Sequence, residues 1–245
     1  MLPVLEGVIA RRILLNFRVD PEIAQRNIPS SLKVEIRNGH AIAGICLIRL
    51  EHLRPKHMPA FLGISSENMA HRIAIEYPTE AGFHPGVFIW SRETDQKLVQ
   101  ALGGRLFPGV HHTGIFDIIE GTSFISMDVH TGDGKCDVRF SANQRPWTPT
   151  RSFDALRDAS DFFAKGDCGF SCSLRGDELE GMRLKTIAWQ VQPLTCDYIE
   201  ARFFEDPQRF PPGCVEFDCG LIMRGVQHEW HELQEIPNLV ATGVS

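Results

Sequence analysis

Two adjacent histidines, His111 and His112, stand between Gly109 and Gly114 in the segment GVHHTGIF. Imidazole titrates near neutrality, so either ring can act as a general acid or base. If the segment begins a strand, the two rings point to opposite faces and one of them enters the interior. The plainer assignment is one core histidine bonded to backbone and one surface histidine. Arg12 and Arg72 each sit among apolar neighbours in strand-patterned segments. A guanidinium fork grips a carboxylate at two points, which makes both candidate ligand-binding residues. The alternative is a rim ion pair, of Arg72 with Glu67 or Glu76. Those two glutamates are the carboxylates nearest Arg72 in the chain. Confined beside an apolar wall, a carboxyl group has a raised pKa and can work as an acid or base; more simply, each orients an arginine.

Metal chemistry finds less support. The seven cysteines are Cys46, Cys136, Cys168, Cys172, Cys196, Cys214 and Cys219, with no C-x-x-C among them. Their odd number and irregular spacing suit buried free thiols better than a zinc or redox framework. The segment QHEWH (227–231) spaces its histidines by three, whereas a zincin helix needs i and i+4. Its charged neighbours place it at the surface. Neither a metal nor a cofactor is expected.

The elements that must position these residues are mostly strands. GVIARRILLNF (7–17) reads as a first strand. Asp20-Pro21 supplies an N-cap and an N1 proline for a short helix over about 21–28. LKVEIRNGHAIAGICLIRL (32–50) is a hairpin turning at Asn38-Gly39. After a loop over 51–65, MAHRIAIEY (69–77) and GVFIWS (86–91) are two further strands. RETDQKLVQALGG predicts a helix at 93–103 closed by Gly103-Gly104, and SFDALRDASDFFA (152–164) predicts another. Later strands are GFSCSL, MRLKTIAWQV, CDYIEARFF and CVEFDCGLIM. Many antiparallel strands with a few short helices indicate a barrel or sandwich in the α+β class, mostly β.

The chain's 245 residues, 43% hydrophobic and 23% charged, suit a single globular domain over 1–245. A formal net charge of −6 with no lysine or arginine run leaves no footprint for nucleic acid. No apolar stretch approaches the roughly 20 residues of a membrane span. The opening MLPVLEGVIARR lacks the basic start of a signal peptide, so the expected location is cytoplasmic.

Three segments carry a resemblance. FRVDPEIAQRNIPSSLKVE (17–35) is similar to the opening of acetoacetate-decarboxylase-like proteins. GGRLFPGVHHTGIF (103–116) resembles the decarboxylase segment that carries a proline and two lysines. Glu67, Arg72 and Pro85-Gly86-Val87-Phe88 match the pattern of the YqjF-like uncharacterised family on that scaffold, and the likeness spans roughly residues 8–225. It implies a cone-shaped antiparallel β-barrel. The implied pocket walls are the first strand, the strand at 70–77 and the turn at 108–114. Arg72, Glu67 and one of His111 and His112 are then expected in one cavity.

The resemblance does not carry over the decarboxylase chemistry, which needs an amine activated by a second cation. His111 and His112 stand at the positions that match the lysine pair. The lysines are Lys33, Lys56, Lys97, Lys135, Lys165 and Lys185, none adjacent to another. Lys185 is the candidate for a displaced Schiff-base lysine, against the usual outward snorkelling of strand lysines. Two functions remain. One is an enzyme, lyase-like or hydrolase-like, acting on a small carbonyl or carboxylate compound through histidine and arginine. The other is a non-catalytic barrel that binds a small molecule as sensor or carrier. The expected partner is a small organic carboxylate or carbonyl ligand, without nucleic acid or membrane; a homo-oligomer stays open.

Overall fold

The structure, a computed structural model, describes residues 3–97, 109–234 and 236–237. Three long strands form its middle. β1 (Leu5–Val19) pairs antiparallel with β4 (His40–Pro55), and β4 pairs with β5 (Ile64–Thr79). All three are buried on both faces over their central residues, which is why GICLIRL and its neighbours read as near-continuous apolar runs. Ile13, Leu15 and Phe17 point into one core cluster, whereas Leu14, Cys46 and Ala74 point into another.

The remaining strands are β2 (Lys33–Val34), β3 (Ile36–Arg37), β6 (Gly82–Thr94), β7 (His112–Glu120), β8 (Phe124–Thr131), β9 (Val138–Asn143), β10 (Cys168–Cys172), β11 (Glu178–Thr186), β12 (Gln192–Ala201), β13 (Val215–Glu232) and β14 (Ile236–Pro237). Pairing runs in a closed circuit from β1 through β4, β5, β6, β10, β11 and β13 back to β1. β7, β8, β9 and β12 form a second span from β6 to β13. The pairings are antiparallel, as the sequence predicts, except β6 with β10 and β6 with β7, which are parallel.

Local chemistry sets the boundaries. Asp20 Oδ1 accepts from the backbone N–H groups of Glu22 and Ile23 and starts α1 (Pro21–Arg26). Asn38 (φ 48°) and Gly39 (φ 81°) make the tight turn between β3 and β4. α2 (Leu156–Lys165) buries Ala159 and Phe163.

Some expectations fail. Arg92, Glu93 and Thr94 end β6 and do not start a helix; from residue 98 to 108 the predicted helix lies outside the described residues. The loop expected over 51–65 is shorter, since β4 runs to Pro55 and β5 starts at Ile64. CDYIEARFF leaves its strand at Ala201 and ends in α3 (Arg202–Glu205), whose buried Phe203 and Phe204 join a cluster with Trp90 and Phe210. Among the described residues, no helix is long and apolar enough to cross a membrane.

Candidate functional site

A cavity of about 140 Å³ is lined by residues of β1, β4, β5, β6, β10, β11 and β13, that is, of each strand of the closed circuit. Most of the lining is apolar, including Ile48, Leu50, Val87, Ile89, Met182 and Trp230. Three arginines, Arg12, Arg72 and Arg92, line it together with His111 and two carboxylates, Glu93 and Asp167.

Strand alternation explains Arg72 and Arg12. Ser66, Asn68, Ala70 and Arg72 follow one another at every second position of β5 and all line the cavity. On β1, Arg12 lies on the face of Leu14 and Asn16, beside Arg72 and Ala74. Arg92 reaches the cavity for a different reason. The register between β5 and β6 slips, from His71 opposite Ser91 to Arg72 opposite Ile89, so Trp90 is the extra residue of a bulge. Val87 and Ile89 face the cavity before the bulge, and Arg92 faces it afterwards. Regular alternation would have turned Arg92 the other way. His111 enters from the bend just before β7, behind Gly109. Gly109 has φ +73°, and a Cβ there would stand 2.7 Å from the Ser171 side chain, so the close approach needs glycine.

The arginines have neutral partners. Arg72 is 4% exposed, and its Nη2 donates to Asn16 Oδ1 at 2.9 Å. Its guanidinium carbon sits 5.2 Å from the ring centroid of Phe163, and its Nε has no partner among the described residues. Arg12 Nε donates to Cys46 Sγ at 3.3 Å, and Arg92 Nε to Ser171 Oγ at 3.2 Å. Among the described residues, no carboxylate forms an ion pair with any of the three. Burial pulls the Arg72 guanidinium down to about 10, with Arg12 adding to the effect; burial likewise pulls Arg92 down to about 10. Burial and then the Arg92 charge push His111 down to about 3, against a hydrogen bond to the backbone of Gly109. The imidazole is therefore neutral at neutral pH. Three cations thus meet two carboxylates in a mostly apolar enclosure, and Arg72, the most deeply buried of the three, has no carboxylate partner among the described residues.

The other sequence candidates lie elsewhere. Glu67 is on the opposite face of β5 from Arg72, as its odd number requires. There Arg11 Nη2 holds it at 2.7 Å and Arg49 Nη1 at 3.5 Å, while burial raises its carboxyl pKa. Glu76 is half-buried at the far end of β5, beside Glu35 and away from the cavity. His112 is exposed on an outer cleft. QHEWH is not a surface segment: it ends β13, flanked by β1 on one side and β11 on the other. Alternation turns His228 (2% exposed) and the cavity-lining Trp230 inward and leaves the charges outside. Lys185 is exposed on β11, and the other five lysines are exposed as well.

Sequence reasoning missed Arg92, Asn16 and Trp230. A bulge has no signature in GVFIWSRET, so Arg92 could not be aimed from sequence. Trp230 was legible, as an aromatic in period-2 alternation with His228.

Comparison with known proteins agrees with this fold. No curated protein matches the chain. Acetoacetate decarboxylase from Legionella pneumophila superposes with a TM-score of 0.63 at 11% identity, covering 95% of this chain and 88% of that one. An acetoacetate decarboxylase-like enzyme from Sphingomonas wittichii RW1 gives 0.60 at 14% identity, covering 95% and 92%. The enduracididine biosynthesis enzyme MppR, complexed with pyruvate, gives 0.60 at 11% identity, covering 96% and 90%. At these identities the likeness shows the fold alone. Residues 9–200 match DUF2071, described as an uncharacterized conserved protein. The chain thus belongs to the DUF2071 family, on the acetoacetate-decarboxylase-like fold that its YqjF-like segments imply.

Proposed function

We propose that the ring of strands acts as a barrel that binds a small organic carboxylate, with Arg72 as the anchor and Arg12 and Arg92 completing the clamp. The observation that carries this reading is three guanidinium groups turned into one cavity against two carboxylates, each guanidinium hydrogen-bonded to a neutral group. A desolvated cation without a counter-charge costs several kcal/mol, roughly, and a bound anion removes that cost. The volume of about 140 Å³ is close to that of an apolar cavity that takes benzene, about six heavy atoms. An oxo acid of about three or four carbons is of that size. One protein with the same fold is complexed with pyruvate, which belongs to this class.

A second reading rests on His111. A bound carboxylate offsets the Arg92 charge that helps hold His111 down, so that the imidazole in the same cavity can take a proton from the carbon next to a carbonyl, with the arginines stabilising the resulting enolate. Among the described residues no amine lines the cavity, so this chemistry proceeds without a Schiff base and is not that of a lysine-dependent decarboxylase.

Titration calorimetry with pyruvate and acetoacetate tests the binding reading. Saturable binding that weakens at least tenfold in Arg72→Ala supports it. Binding unchanged in Arg72→Ala rules that residue out as the anchor. Exchange of the ligand's carbon-bound hydrogens in D₂O, lost in His111→Gln, separates enzyme from carrier.

A further inference from the structure

On the face of β5 and β6 opposite Arg72 and Arg92, and bordering the cavity at Glu93, three side chains from separate parts of the chain converge. His71 is on β5, Glu93 on β6 and Cys136 in the turn joining β8 to β9. One ligand atom from each lies within 4.8 Å of the others, and His71 Nδ1 is 3.8 Å from Glu93 Oε2. His71 is fully buried and Glu93 is 1% exposed.

Three polar atoms of this cluster are left without a partner among the described residues. Among the described residues, neither ring nitrogen of His71 has a hydrogen-bond partner, and neither does Glu93 Oε2. Buried polar atoms are almost always partnered, and the capacity to bind an ion is a standard reason for an exception. Among the described residues, no arginine or lysine forms an ion pair with Glu93. Its second oxygen accepts from the Ser91 hydroxyl, which fixes the carboxylate's orientation. The His71 ring is packed at 4.6 Å, centroid to centroid, on Phe203 and so cannot swing out to water. Burial and the nearby Glu93 push the Cys136 thiol up to about 12, so without a cation the group is a neutral thiol.

We propose that His71, Glu93 and Cys136 are the ligands of a structural divalent transition-metal site, of the zinc class. One sulfur, one nitrogen and one carboxylate oxygen form a borderline-soft donor set that suits zinc and disfavours magnesium or calcium. Tetrahedral bonds of about 2.0–2.3 Å place ligand atoms roughly 3.3–3.8 Å apart, so the observed separations close with shifts of about 1 Å. Binding releases one proton, from the thiol of Cys136 to solvent. The thiolate and the Glu93 carboxylate then neutralise the dication, which makes its burial tolerable. The Ser91 hydroxyl or a water completes the fourth position. Cys136 is partly exposed, which provides the entry path. The site would clasp the β8–β9 turn onto the β5–β6 pair that carries Arg72 and Arg92. Linear spacing gave no hint of it, because its ligands are 22 and 43 residues apart in sequence.

The test uses the full chain, stripped with a chelator and titrated with Co(II) and with Zn(II). We expect one equivalent of Co(II) to produce a near-ultraviolet thiolate-to-cobalt charge-transfer band. Zn(II) should abolish that band and raise Tm by several degrees. Cys136→Ser should lose the band, whereas Cys172→Ser should retain it. Wild-type protein that gives neither a band nor a Tm shift overturns the proposal, as does a band that survives in Cys136→Ser. If a variant fails to fold, the wild-type titrations decide alone.

Discussion

Asn16 and Arg72 meet across a strand that separates them. Asn16 of β1, Gly44 of β4 and Arg72 of β5 are consecutive partners on one rung of the sheet. Gly44 has no side chain, so the Asn16 amide reaches over it and accepts from Arg72 Nη2 at 2.9 Å. The amide nitrogen of Asn16 is in turn tied to the carbonyl of Cys219 on β13 at 3.2 Å. Arg72 is therefore held by a neutral group, with no carboxylate partner among the described residues.

Gly44→Ala should break this arrangement by sterics. A Cβ at Gly44 would stand 2.6 Å from the Leu15 carbonyl and 3.0 Å from Asn16 Oδ1. The first of these is backbone and cannot swing aside. We expect a loss of about 1–3 kcal/mol in urea unfolding, typical of overpacking, together with weaker carboxylate binding. Wild-type stability in Gly44→Ala would mean that the strands relax freely here.

Arg72→Met should move stability and binding in opposite directions. Methionine fills much of the same volume without a buried charge. Removing the buried charge outweighs its charge-assisted hydrogen bond to Asn16, worth about 1.5–3 kcal/mol, so the ligand-free variant should be more stable by roughly 1 kcal/mol. Carboxylate binding should disappear. Thermal unfolding with and without ligand measures both. A destabilised variant would show that Arg72 is structural.

Much of the fold was legible because the long strands carry their own signals: double-faced apolar runs in β1 and β4, Asp20-Pro21 at a helix start, Asn38-Gly39 at a turn. Arg72, Arg12 and His111 reach the cavity by simple alternation or by position next to a glycine. Glu67 could have been set aside by parity alone, since it and Arg72 have opposite parity on an unbroken strand. What sequence could not give was whatever depends on pairing: the bulge at Trp90 that aims Arg92, and the convergence of His71, Glu93 and Cys136 from three elements.

Glu67→Gln should separate structure from function on the other face of β5. Its carboxylate is 2.7 Å from Arg11, whose second nitrogen is 2.6 Å from Glu120. Neutralising Glu67 leaves a buried arginine with one partly exposed carboxylate. The expected loss is about 2–4 kcal/mol, read from urea unfolding, with ligand affinity within twofold of wild type. A larger change in affinity would return Glu67 to the candidate list.

Stability should fall as pH drops below about 6.5. Burial depresses His111 to about 3 and His228 to about 4, from an ordinary 6.5. Between those values and 6.5 the unfolded chain binds protons that the folded chain refuses. Stability is therefore complete above the ordinary value and declines with acid, by up to about 1.4 kcal/mol per pH unit per histidine. His228→Gln should flatten Tm against pH between roughly 6.5 and 4.5. A slope identical to wild type would mean that His228 is protonated in the fold.

Borohydride trapping addresses the missing amine directly. Every lysine is exposed, and Lys185 lies on the outward side of β11, opposite Glu229, while its neighbour Leu184 lines the cavity. Wild-type protein incubated with acetoacetate and borohydride should therefore gain no adduct mass. Leu184→Lys would place an amine inside the same apolar enclosure as Arg12, Arg72 and Arg92. Desolvation and like charge both favour the neutral, nucleophilic amine there. That variant should gain one reduced adduct, mapped by peptide mass to position 184. An adduct on wild-type Lys185 would show that the chain retains imine chemistry. Failure of Leu184→Lys to trap, in a folded variant, would show that oxo acids do not enter this cavity.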